Sequence, residues 1–245
     1  MTPFLDKLRR LLRRTPAGIR WLSYLLPRYR KLAVNSETEI VIEGYPRCAN
    51  TFSVVAFTQS QPREVKVAHH IHSVAQIRRG VQLGIPTVVL LRNPEDAILS
   101  LAIRLGHKSP AWATAEYVDF HQGVDELGDS VLLVDFEEIT SDFGAVIRRI
   151  NERFGTEFSE FEHTDENIAR CYEVIDSFEK CDASGGKLRA THVARPSTAR
   201  HREKESLAAL LASEELVPTL KEAERLYSAL SARRLRSIRG QLTND

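Results

Sequence analysis

Three short polar runs carry the residue types that handle phosphate and protons. The first is Gly44-Tyr45-Pro46-Arg47-Cys48-Ala49-Asn50-Thr51-Phe52, directly after the apolar run Ile40–Glu43. Against the phosphate-loop spacing G-x-x-x-x-G-K-[ST], Gly44 and Thr51 hold the outer positions, while Ala49 and Asn50 replace the second glycine and the lysine. The loop suits a phosphate but lacks the cation that serves ATP-Mg. A helix opening here would aim the amides of Cys48 to Thr51 and the positive end of its dipole at an anion, with Arg47 as the nearby mobile charge. The second run is Arg92-Asn93-Pro94-Glu95-Asp96, with Ser100 eight residues after Arg92. A guanidinium at a strand end and a hydroxyl on the following helix can grip one phosphate together. The third is His69-His70-Ile71-His72, three imidazoles that titrate near neutrality.

Each run also has a plainer reading. The first is a strand-turn-helix connection with a threonine cap, the second an Arg92–Asp96 ion pair, and the third a set of capping or core histidines. Other chemistries fail on spacing. A cysteine phosphatase needs C-x-x-x-x-x-R, and the residue six after Cys48 is Val54. The histidines have no carboxylate or cysteine close in sequence to complete a zinc site, so no metal is expected.

The elements that must position these runs read as alternating strands and helices. Strands are expected at Ile40–Glu43, Val65–Ala68, Pro86–Leu91 and Ser130–Val134. Helices are expected at about 50–59, 73–83, 94–105, 112–127, 141–154, 166–179 and 217–231, the 94–105 helix opening on Pro94 with Glu95 and Asp96 in its first turn. Continuous apolar strands between helices predict an α/β fold, a P-loop-like parallel sheet covered by helices on both faces. In such sheets ligands bind at the carboxyl ends of the strands, where all three polar runs fall.

With 34 Lys+Arg against 33 Asp+Glu the chain has no bulk attraction for nucleic acid, so none is expected as a partner. Three cysteines without a CxxC pair point to a reducing, cytoplasmic setting. Residues 1–36 stand apart as a basic amphipathic helical segment before an α/β domain at 37–245: Lys7, Arg9, Arg10, Arg13, Arg14, Arg20, Arg28, Arg30 and Lys31 face one acid, Asp6. Pro16 is expected to separate two short helices and Pro27 to end them. Three readings stay open for residues 1–32: peripheral contact with an anionic membrane, a place near an anionic substrate, or a basic helix packed on the domain with a solvated outer face.

Taken together, the Gly44–Phe52 loop and the Arg92–Ser100 run resemble the two signature motifs of the PAPS-dependent sulfotransferases. In that family Pro-[Lys/Arg]-Ser-Gly-[Thr/Asn]-[Ser/Thr]-[Trp/Phe] holds the 5′-phosphosulfate and R-[DN]-P-x-D-x-x-x-S holds the 3′-phosphate. The resemblance implies sulfuryl transfer from PAPS to a hydroxyl acceptor, a glycan, lipid or small alcohol, directly and without metal. It implies that Arg47 bridges the sulfuryl group and its leaving phosphate, and that Cys48, Ala49, Asn50 and Thr51 lie around the 5′-phosphate. Arg92 and Ser100 then clamp the 3′-phosphate, and Phe52 stands for an aromatic near the adenine. Cys48 and Ala49 depart from Ser-Gly, and the C-terminal Arg-Lys-Gly loop is absent as such; Arg195 is the candidate replacement, with Arg200 second. The family's histidine base, often in Lys-x-His, corresponds to His70 first, His72 second and His69 third. The alternatives are a P-loop-like small-molecule or nucleoside kinase and a non-catalytic nucleotide-binding protein.

Overall fold

The computed structural model describes residues 12, 14–106, 109–182, 207–208, 211 and 213–242. The strands form where β-branched and leucine residues run together: β1 Ile40–Gly44, β2 Val67–His69, β3 Thr87–Leu91 and β4 Leu132–Asp135. They make one parallel sheet in the order β2-β1-β3-β4, with Val41 beside Ala68 and Thr87, Gly44 beside Leu90, and Leu91 beside Asp135. Every residue of β1 and β3 is buried, so both faces at the sheet centre are covered. The α/β class expected from the sequence is the one observed.

The helices are α1 Pro16–Leu25, α2 Pro27–Leu32, α3 Asn50–Ser60, α4 Val74–Gln82, α5 Pro94–Leu105, α6 Pro110–Asp125, α7 Phe136–Ser141, α8 Phe143–Phe154, α9 Asp165–Asp182 and α10 Val217–Leu242. Right-handed crossovers fix where they go. The step from β1 to β2 runs one way along the sheet, and the steps from β2 to β3 and from β3 to β4 run the other. The chain therefore reverses direction between the carboxyl ends of β1 and β3, the place where such sheets open a crevice.

Four expectations need correction. The helices do not stop at Pro27: α1 ends at Leu25 just before it, and Pro27 then opens α2 as Pro16 opens α1, each in a first turn where a missing N–H costs no hydrogen bond. The helix expected at 141–154 begins at Phe143, because Asp142 leaves helical geometry (φ −155°, ψ 87°) to cap α8 through Ala145 N, and an unexpected short helix, α7, precedes it, opened by a capping box of Asp135 and Glu138. The last helix runs eleven residues past Ser231, tied down by Arg233 to Asp125 and by Arg234 to Glu138. The short second strand begins two residues later than expected and includes His69.

Gly44 ends β1 against β3 at a distance only glycine permits. A Cβ there would lie 2.7 Å from Leu90 O and 2.9 Å from Leu90 Cβ. Gly44→Ala is expected to lower stability by about 1–3 kcal/mol in denaturant unfolding, as overpacking against fixed backbone does; a variant as stable as the parent would show that the two strands can separate freely here.

Candidate functional site

Because β1 and β3 are neighbours, the loop after Gly44 and the turn after Leu91 meet. Arg92 Nη1 donates to Arg47 O at 2.9 Å, and Arg47 Nε donates to Ser100 Oγ at 3.0 Å. Ser100 faces the loop from the second turn of α5, almost buried. Arg92 lies over the Phe136 ring, 4.1 Å from its centroid, and its carbonyl accepts from the Tyr117 hydroxyl. With Nη1 on the loop carbonyl, Arg92 Nε is buried without a hydrogen-bond partner.

The loop reaches this shape at a cost in backbone energy. Arg47 (φ 76°) and Ala49 (φ 61°) are left-handed, and Ala49 stands where the phosphate-loop spacing has glycine. An L-residue there carries roughly 1–2 kcal/mol of strain. Ala49 precedes α3 and gives it no side-chain cap, so the first-turn amides receive nothing from that position. Asn50 is nearly buried; its Nδ2 donates to Tyr45 O at 2.9 Å and its Oδ1 is buried without a partner. Tyr45 anchors the loop, with its hydroxyl on Ala113 O at 2.8 Å and its ring edge-on to Tyr117.

Two of the loop side chains point inward. Cys48 is wholly buried and its thiol is pushed up to about 12, burial outweighing the opposing pull of Arg92 and Arg47. It offers a backbone amide and no nucleophile. Phe52 packs edge-on to Phe143, Phe161 and His163 and tilted to Tyr172, as part of the core.

The histidine run closes the third side. Thr51 Oγ1, on the first turn of α3, lies 3.1 Å from His70 Nε2, and His70 Nδ1 lies 2.5 Å from His69 Nδ1. Burial holds His69 down at about 4, so it is neutral at physiological pH. If His70 Nδ1–H donates to His69, the single lone pair of His70 Nε2 faces the loop and accepts from Thr51. His72 Nδ1–H donates to Gly44 O at 2.8 Å. His70 (φ 57°) and His72 (φ 53°) are also left-handed. Among the described residues, the four non-glycine residues with positive φ are therefore Arg47, Ala49, His70 and His72, all on this rim. Such clustering of local strain is characteristic of functional sites.

Sequence reasoning missed what holds the histidines. Glu43, the fourth residue of β1, is wholly buried; its Oε1 accepts from Ile71 N at 2.7 Å and Gln76 Nε2 at 2.8 Å, and its Oε2 from His72 N at 3.1 Å. Burial raises its carboxyl to about 7 against these opposing hydrogen bonds. The available signal was a lone acid inside an apolar strand. Asp135 was missed too. It sits buried at the end of β4, accepting the Tyr227 hydroxyl of α10 at 2.7 Å. Glu137, next to it, is raised to about 7, first by its hydrogen bond with Asp135, then by burial and the Asp135 charge. Glu138 binds Arg149 and Arg234. Arg195 and Arg200 lie outside the described residues. No group of three potential metal ligands occurs among the described residues.

No protein-family model matches the chain, and the search of curated proteins gives no match. Among solved structures, the chain is similar to mouse sulfotransferase SULT7A1 complexed with PAP, at 14% identity, with 78% of this chain and 90% of that one covered and a TM-score of 0.43.

A buried acid with a raised pKa stabilises the fold below its ordinary pKa of 4.5 and loses that contribution as pH climbs through about 7. The stability difference between the parent and Glu43→Gln should therefore shrink by on the order of 3 kcal/mol from pH 4.5 to 7. Urea unfolding of both proteins across that range measures it, and a flat difference would mean that Glu43 titrates normally.

Proposed function

We propose that this protein is a sulfotransferase that moves a sulfuryl group from PAPS to a hydroxyl acceptor, without metal. The observation that carries the reading is the junction of the two motifs: Arg92 on the Arg47 carbonyl and Arg47 on the Ser100 hydroxyl, at 2.9 and 3.0 Å. Residues far apart in sequence, each of a type that binds phosphate, meet where the sheet opens its crevice. The side chains present suit a nucleotide with two separate phosphate groups. Arg92, with an unmatched buried Nε, and Ser100 form one anion site. Thr51 and the loop amides form the other, and Arg47 lies between.

The residues divide the work accordingly. Arg47 places its cation where negative charge builds on the bridging oxygen as the bond from sulfur to the departing phosphate breaks. His70 Nε2 takes the proton of the acceptor hydroxyl as the acceptor oxygen bonds to sulfur. His69, kept neutral by burial, accepts the His70 Nδ1–H and fixes the tautomer that leaves Nε2 basic. Thr51 holds the His70 Nε2 lone pair beside the phosphosulfate end of the site and releases it to the acceptor hydroxyl. Asn50 at the template's lysine position is bonded inward to Tyr45 O, so nothing in the loop favours the kinase reading.

The test is calorimetric titration with PAP, ADP and ATP-Mg in parallel. PAP is expected to bind well above the others, and PAP binding no tighter than ADP would remove the basis for the 3′-phosphate clamp. Arg92→Ala should weaken PAP by about 1.5–3 kcal/mol, the worth of a charge-assisted phosphate contact. His70→Ala should keep PAP affinity and lose about 10²–10⁴-fold in transfer rate. Unaltered turnover in that variant would pass the role of base to His72.

A further inference from the structure

Helix α1 has two apolar faces where a surface helix needs one. Ile19 and Leu22 are buried, Ile19 packing in a cluster with Ala33, Ile71 and Ala75. On the outer side Trp21, Tyr24 and Leu25 are 58%, 92% and 52% exposed. Their spacing of three and four residues puts them on one stripe, with Arg20 at its edge. They make up half of the large hydrophobic side chains exposed among the described residues; the other three, Leu83, Phe178 and Leu235, belong to three different helical regions. The surrounding sequence is almost wholly of one sign, with Asp6 the single acid in residues 1–32. Residues 14–32 contain Arg14, Arg20, Arg28, Arg30 and Lys31 and no acid, and the preceding residues add Lys7, Arg9, Arg10 and Arg13. Arg14 is engaged with Asp119 at 2.7 Å.

We propose that the outer face of α1 docks the protein on an anionic lipid bilayer. Tryptophan and tyrosine suit the headgroup layer, being apolar with one polar atom, and leucine beside them reaches the acyl boundary. The excess of cations over acids in residues 1–32 supplies attraction to anionic headgroups. At ten residues α1 is too short to span, and no helix among the described residues is long and apolar enough to cross a membrane, so the contact is one of lying on the surface. The position of α1 gives docking a consequence for the site. Ile71, against which its inner face packs, lies between His70 and His72. The link is also polar: Gln76 Nε2 donates to both Leu32 O, at the end of α2, and Glu43, the carboxylate that holds the histidine turn. A bilayer under α1 is therefore one helix thickness from the histidine turn.

Co-sedimentation of the full chain with phosphatidylcholine vesicles, with and without phosphatidylserine, reads the docking directly. The full chain is expected to bind the serine-lipid vesicles, less so at high salt, and to bind the neutral vesicles weakly. The triple variant Trp21→Ala/Tyr24→Ala/Leu25→Ala should bind them at least about ten-fold more weakly while unfolding at the same denaturant concentration. Replacing Arg20 and Lys31 by Glu should reduce binding and flatten its salt dependence. Failure of the full chain to sediment, or equal binding by the triple variant, would overturn the proposal. PAP titration of the same samples keeps the questions apart: loss of PAP binding in the parent would count against sulfuryl transfer alone, and unchanged PAP affinity in the triple variant would show that only the docking face was altered.

Discussion

The parallel pairing of β1 with β3 is the constraint on which the rest of the site depends. Gly44 lies beside Leu90 in that ladder, so the loop that follows β1 and the turn that follows β3 leave the sheet side by side. Arg92 reaches the Arg47 carbonyl across 45 residues of sequence because the two strand ends are neighbours. The order β2-β1-β3-β4 makes that junction the reversal point of the winding, the place where open α/β sheets bind their ligands. Were β2 to lie between β1 and β3, the guanidinium would be a strand's width, about 4.8 Å, further away and the junction could not form.

Stability is surrendered at this rim and recovered elsewhere. A carboxylate buried in the central strand, and four non-glycine residues in the left-handed region, would be selected against in an ordinary turn. They persist because neighbours over-determine them. Glu43 receives two consecutive backbone N–H groups and the Gln76 amide, which turns its burial into a clamp on the histidine backbone. Tyr45, Tyr117 and the buried aromatic cluster around Phe52 hold the loop from beneath. The rigid floor is apolar and close-packed, and the polar groups with unmatched hydrogen-bonding capacity, Arg92 Nε and Asn50 Oδ1, lie just above it.

The two ends of the described chain reach the same rim from different sides. Helix α10 packs against α6 and β4 and delivers Tyr227 to Asp135 and Arg234 to Glu138, completing the β4 corner near Arg92. Helices α1 and α2 reach the opposite corner through Ile71 and Gln76. The histidine turn is thus held by the sheet through Glu43 and by the N-terminal helices through Gln76, so a load on α1 bears on groups that contact the histidine backbone.

The local features were legible from the residues alone. Apolar runs of four or five β-branched and leucine residues can bury themselves only as central strands, and Pro94 with Glu95 and Asp96 can begin a helix but not continue one. Arg47, Thr51, Arg92 and Ser100 stood out because their side chains are of types that can bind phosphate and their order resembles the two sulfotransferase motifs. Strand order was not legible, since nothing in a strand's composition names its neighbour, and strand order alone decided that Arg47, Arg92 and Ser100 touch. The inward turn of Cys48 and Phe52, the support from Glu43, and the arrival of Tyr227 were equally decided by tertiary packing. Each depends on which distant side chain fills the space beside it, and local sequence carries no record of that.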